Sequence, residues 1–518
     1  MNAKFTLNKR SSGILLHPTS LPGGHGCGDL GPEAYRFVDF LSDAGQRWWQ
    51  MLPITPPGSG NSPYHASSAF AGSPLLLSLE LLFKEGFLDS GDIIPEGSLR
   101  EGRVAYGAVK RYKEVRFKKA FMKFKKRKNR THDKPFERFC EKAKFWLEDY
   151  ALFSALKGAH GNTSWVKWDL ELRSREGGAL VRAKEALGDE MDYHKFVQYL
   201  FSNQWSKLKE HCARRGIGLI GDIPIFVAHD STDVWAHQEF FWMNKRGEPT
   251  VVAGVPPDYF SQTGQRWGNP LYRWDRLREQ NYLWWIERLR LTFERFNAVR
   301  LDHFIGFHRY WEISADEPTA RNGKWVEGPG ADFFEKVLRV LGPLELIAED
   351  LGLVTPEVKA LRDRFHFPGL RVLQFAFGGD SQAIHEHLPE NYPRRCIVYT
   401  GTHDNDTTLG WFNDTGSKAS TRSRETIHKE RAFALRYLKS DGRQIHWDMI
   451  RLAMMSIADV AIFPMQDILG LGSRARMNLP GTVEGNWQWR FTKEVVTEEL
   501  TKRLRLMTKV SRRLPSRS

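Results

Sequence analysis

Short apolar, β-branched runs recur along the chain, and each closes on polar residues. They occupy 13–17 (GILLH), 48–54 (WWQMLPI), 217–227 (IGLIGDIPIFV), 296–302 (FNAVRLD), 344–350 (LELIAED), 370–375 (LRVLQF), 396–401 (CIVYTG) and 460–465 (VAIFPM). Runs this short and this continuously apolar read as parallel strands buried on both faces. Stretches of helical period lie between them, among them 33–44, 203–215, 282–293, 332–341 and 356–364. Eight strands alternating with helices predict an α/β fold, a (β/α)8 TIM barrel. Chemistry in such a barrel sits at the C-terminal ends of the strands, where polar residues close these runs.

The spacing is uneven. About 160 residues separate the second run from the third, against roughly 30 in an ordinary βα repeat. Residues 56–215 are therefore expected to hold inserted, mainly helical subdomains within a single catalytic barrel spanning 1–518. A second insertion is expected at 228–281. It contains GVPPDYFSQTGQRWGNPLY (254–272), rich in Gly, Pro and aromatics and without helical period. It reads as an ordered loop over the site.

Composition changes this picture little. The chain is 41% hydrophobic and 27% charged, as ordinary globular proteins are. The apolar piece at the N-terminus is too short for a signal peptide, and no run is long enough to span a membrane. No Ser/Arg-rich transit segment precedes Ser11, which disfavours a plastid origin. Four scattered cysteines (Cys27, Cys140, Cys212, Cys396) show neither CxxC nor zinc spacing. A cytoplasmic location is expected. The net charge of +14 raises nucleic acid as a partner. Much of the excess is local, in 110–130 and 502–517. In the first stretch Phe117, Phe121 and Phe124 share one helical face, so the run is expected to be an amphipathic helix with a solvated basic back. Nucleic-acid binding as the main function is disfavoured.

The chemistry-bearing residues close the runs. In Arg300-Leu301-Asp302-His303, strand alternation puts Arg300 and Asp302 on one side. A guanidinium beside a carboxylate keeps it ionised and aimed, as a nucleophile requires. A structural ion pair would leave the same trace. Leu346–Gly352 (LIAEDLG) ends a buried strand in Glu349, where apolar walls would raise the carboxyl pKa as a general acid needs. Asp350 reads equally well as a helix N-terminal acid. Tyr399–Asn405 (YTGTHDN) places His403 and Asp404 at another strand end. Two strand-end carboxylates are the minimum for glycoside chemistry, and a third can bind ring hydroxyls. Asp222, inside GDIP, either pairs with Arg300 or contacts ligand.

With these residues in view, the chain resembles the amylomaltase or disproportionating-enzyme family, 4-alpha-glucanotransferases of glycoside hydrolase family 77 in the α-amylase clan. The stretches that carry the resemblance are 12–31 (SGILLHPTSLPGGHGCGDLG), 62–77, 221–227, 254–272, 299–307 (VRLDHFIGF), 347–352, 400–411 (TGTHDNDTTLGW) and 466–490. The resemblance implies Asp302 as nucleophile, Glu349 as acid/base and Asp404 as transition-state stabiliser. It implies Arg300, Asp222 and His403 around the first glucose, with Tyr64 closing that face. It makes residues 258–269 a glucan-covering loop, with Asp258, Tyr259, Gln265, Trp267 and Asn269 as contacts. It further implies α-1,4-glucans, maltooligosaccharides or glycogen-derived dextrins, as donor and acceptor, with no cofactor or metal. A hydrolytic α-amylase-like enzyme is the alternative, since both reactions share their first half. The family commonly has an acidic residue where Arg474 stands, a departure that leaves the three carboxylates untouched.

Overall fold

Eight parallel strands form one sheet: β1 (Ser11–Leu15), β2 (Trp48–Gln50), β3 (Gly218–Pro224), β4 (Ala298–Asp302), β5 (Leu346–Ala348), β6 (Gly369–Val372), β7 (Cys396–Tyr399) and β8 (Val460–Pro464). Their order is β6-β7-β8-β1-β2-β3-β4-β5, so chain neighbours are sheet neighbours. Ala348 N donates to Pro368 O at 2.9 Å, drawing the two ends of the sheet together into a (β/α)8 barrel. The computed structural model describes residues 5–95, 97, 99, 102–126, 133–257, 261–378, 385–416 and 423–515. All eight apolar runs hold these strands. The strands are almost wholly buried, which is why they read as continuous apolar runs. In the interior, Tyr399 Oη donates to Gln50 Oε1 at 2.8 Å across the barrel.

Helices cover the outside. Helix α1 (Pro32–Asp43) has Pro at its first position and buries Ala34, Phe37, Val38 and Leu41, the i, i+3, i+4, i+7 stripe that a core-facing helix needs. Between β2 and β3 the chain is mainly helical, including α2 (Tyr106–Lys126) and α3 (Gly188–Arg214). Helix α2 is the basic run. Phe117, Phe121 and Phe124 are buried on one face, as their spacing predicts. Several of its cations meet carboxylates: Lys119 meets Asp92 at 2.8 Å, Lys123 meets Asp89 at 2.6 Å and Lys125 meets Asp189 at 2.8 Å. Among the described residues no helix is long and apolar enough to cross a membrane.

The second insertion differs from the loop expected there. Gln265–Pro270 and Val251–Val255 are strands of a four-stranded antiparallel sheet, completed by Arg309–Ser314 and Gly323–Glu327 from beyond β4. Half of the pairing partners are distant in sequence, so local pattern cannot reveal the sheet. A Cβ on Gly254 would lie 2.2 Å from Gln265 O, and glycine permits this approach.

The base of the barrel is tied by Arg513, whose side chain is fully buried. It donates to Met454 O (2.7 Å) at the end of α5 (Ile445–Met455), to Ser11 O (2.8 Å) of β1 and to Ala458 O (2.9 Å) before β8. The helix that precedes it, α6 (Glu498–Val510), lies against α1 and α5.

Candidate active site

The register of β3 on β4 places Asp222 opposite Arg300 and Pro224 opposite Asp302. Facing residues of paired strands point to the same side, so side chains at these positions meet. Arg300 Nη1 donates to both Asp222 oxygens, at 2.9 and 2.7 Å, and Nη2 lies 2.9 Å from Asp302 Oδ1. Asp222 therefore pairs with Arg300. Its side chain is 0% exposed, whereas that of Asp302 is 28% exposed, so of the two Asp302 is the one open to the cleft. Burial alone would lower the guanidinium pKa, but Asp222 and Asp302 outweigh it and push Arg300 well above its ordinary value. Arg300 is thus a fixed positive charge against the Asp302 carboxylate.

Strand β5 pairs with β4, setting Ala348 beside Leu301 and Glu349 level with Asp302. After Asp302 the backbone turns through His303 at φ 52°, ψ 52°, a left-handed conformation uncommon for a side-chain-bearing residue. That turn aims the His303 N–H at Glu349 Oε2, 2.7 Å away. Burial lifts the Glu349 carboxyl from 4.5 to about 8; Asp302 adds to the rise, while Arg300 and the His303 N–H oppose it. A carboxyl raised this far can hold its proton at neutral pH. Asp350 serves the scaffold, ion-paired with Arg362 of α4 (Pro356–Arg364) and accepting from Leu370 N at 2.6 Å.

Past β7, the 400–407 turn presents His403, buried, and Asp404, whose side chain is 47% exposed to the cleft. Asn478 Nδ2 donates to Asp404 Oδ1 at 2.7 Å, and Arg476 Nη2 donates to Asp404 O at 2.5 Å. Tyr64 joins the two halves of the site. Its ring stacks on His403 (centroids 5.0 Å apart, 13° between planes) and its hydroxyl donates to Asp222 Oδ2 at 2.8 Å. Burial and the Asp222 charge raise the phenol well above its ordinary value, so it stays a donor. Three carboxylates from three strand ends, two accessible and one poised to give a proton, make a site able to cleave a glycosidic bond by acid and nucleophile.

A sequence profile of the 4-alpha-glucanotransferases matches residues 16–497. The chain belongs to the 4-alpha-glucanotransferase family. It is 50% identical to the 4-alpha-glucanotransferase of Thermus thermophilus, over 98% of this chain and 99% of that one. With the Synechocystis enzyme of the same name it shares 47% identity, over 97% and 98%. The solved structure of amylomaltase from Streptococcus agalactiae in complex with acarbose matches with a TM-score of 0.92 at 37% identity, covering 98% of this chain and all of that one.

The remaining candidates of this 4-alpha-glucanotransferase divide by surroundings. Trp267 stands edge-on to the His303 ring (4.8 Å, 88°), and its Nε1 donates to Gln265 Oε1 at 3.2 Å. Asn269 is buried and braces the sheet, its amide donating to Val227 O at 2.9 Å. Asp258 and Tyr259 lie outside the described residues. Asn478 and Arg476 were not singled out from the sequence. They sit in an irregular stretch, and the one available signal was their place inside the family-like segment 466–490. One other group, His25, Asp29 and Glu80, gathers metal-type ligands within 4.8 Å. The Lys113 ammonium already supplies a cation there, 3.2 Å from Asp29 and bonded to Leu75 O and Leu77 O.

Proposed function

We propose that the enzyme transfers segments of α-1,4-glucan to the 4-hydroxyl of an acceptor glucose or maltodextrin, through a covalent glycosyl intermediate on Asp302. The observation that carries this reading is the set of strand-end acids: Asp302 held by Arg300, Glu349 held protonated beside it, and Asp404 open to the cleft. Asp302 attacks C1 while Glu349 protonates the departing glycosidic oxygen. Glycosylation then removes the Asp302 charge, one of the groups that keep the Glu349 pKa high. The Glu349 pKa falls, and as a base it takes the proton of the incoming hydroxyl. Two inversions retain the anomeric configuration. Asp404 and His403 hydrogen-bond ring hydroxyls of the distorted sugar, contacts that raise the rate if strongest in the transition state. Trp267 and Gln265, beside His303, support an acceptor side screened from water.

Donors and acceptors would be maltooligosaccharides and glycogen-derived dextrins. Cytoplasmic residence fits four free cysteines. The test is incubation with maltotriose alone. Transfer yields glucose and a ladder of longer maltodextrins at constant total reducing ends, and Asp302→Asn abolishes the ladder. Rising reducing ends without a ladder would establish hydrolysis instead, and an active Asp302→Asn protein would remove Asp302 from its role.

A further inference from the structure

His17, at the C-terminal end of β1, is buried and has a ring nitrogen, Nδ1, with no hydrogen-bond partner. Its ring bonds to the backbone of Leu52. With Nδ1 unpartnered, the nitrogen left to face Leu52 is Nε2, and the tautomer that suits this arrangement carries its proton on Nε2 and leaves Nδ1 an acceptor. Burial, followed by the neighbouring His403, lowers the pKa of His17 to about 3, so this tautomer persists across the working range. A buried acceptor without a donor is costly.

His17 lines a cavity of about 20 Å³ with Ser20, Leu52, His403, Gln466 and Met477. A cavity needs roughly 10–15 Å³ on this measure, and polar walls, to hold a water. Ser20 is fully buried and its hydroxyl makes only a 3.9 Å contact to the Met477 sulfur, leaving capacity for a further bond. The opposite wall is the 402–407 turn itself, including His403, Asn405, Asp406 and Thr407.

We propose that His17 is a positioning residue for the His403–Asp404 turn, acting through one buried water that donates to its Nδ1. The role rests on His403 and Asp404 gripping the substrate sugar as set out above. The water fills the space behind the turn and satisfies His17 and Ser20 together, so His403 cannot settle backwards into the barrel.

Two substitutions separate this role from simple anchoring. His17→Asn keeps a polar atom near Nδ1 and loses the bond to Leu52. His17→Gln keeps a donor near Nε2 and loses the acceptor in the cavity. With maltotriose as donor and acceptor, His17→Gln is expected to lower kcat about tenfold, with KM within about twofold, the loss of one hydrogen bond felt in the transition state. His17→Asn is expected to stay within about threefold of the parent. The reverse order, or two variants equal to the parent, overturns the proposal. Should His17→Gln not fold, Ser20→Ala removes the water's second partner: a kcat loss at unchanged KM supports the proposal, and no change overturns it. Asp404→Asn serves as the control. If it is as active as the parent, the reading of Asp404 fails; if it is crippled while the His17 and Ser20 variants are not, only the role of His17 fails.

Discussion

Glu349 is kept protonated by its surroundings, and that arrangement must cost stability once the carboxyl is forced to ionise. Below about pH 4.5 the group is protonated in both folded and unfolded chains and contributes nothing. Between 4.5 and about 8 the unfolded chain ionises while the folded protein does not, so stability falls as pH rises. Above about 8 both are ionised and the full penalty applies. Raising the pKa from 4.5 to about 8, at about 1.4 kcal/mol per pH unit, sets an upper bound of about 5 kcal/mol. The side chain still borders the open cleft, where water screens the charge, and about 2–3 kcal/mol is the expected share. Glu349→Gln removes the titration at nearly constant volume. In urea unfolding the Gln variant should match the parent near pH 4.5 and exceed it by about 2–3 kcal/mol near pH 9. Titrating groups that do not interact with Glu349 cancel in that difference. The variant should be inactive in transfer, and the parent's kcat/KM should decline above about pH 8 as the acid is lost. An advantage of the same size at both pH values, or none near pH 9, would refute the claim that burial holds this proton.

Arg300→Met would strand the buried Asp222 charge and should destabilise by about 3–5 kcal/mol in urea, much of it recovered in Arg300→Met/Asp222→Leu; an unperturbed single variant would contradict the pairing. Arg513→Leu removes the donor to the carbonyls of Ser11 and Ala458 at the barrel base and leaves Met454 O with its Arg10 bond alone, an expected loss of about 3 kcal/mol in unfolding with unchanged kcat at low temperature. In a gel-shift assay at about 0.15 M salt the protein should retain no DNA, because several cations of α2 already face carboxylates; a stable complex would show that the remaining basic surface suffices.

The barrel was legible in the sequence because parallel strands covered on both faces must be apolar throughout, and a (β/α)8 sheet lets each pair with its chain neighbour. The acids were legible for the opposite reason: Asp302, Glu349 and Asp404 interrupt that apolar code at the strand ends. Helix α2 announced its buried phenylalanines by their spacing. Tertiary structure alone decided the rest. Whether Asp222 meets Arg300 or the cleft depends on the register of β3 on β4, which no local pattern encodes. The sheet of 251–255, 265–270, 309–314 and 323–327 joins segments on either side of β4, and its partly exposed strands lack the apolar run that marks a core strand. The proton on Glu349 depends on how deeply three strand ends bury it together, and the bracing of Asp404 by Asn478 on a contact 74 residues along the chain. Local sequence dictates which surfaces must be hidden; only the folded chain determines which charges end up sharing the same enclosure.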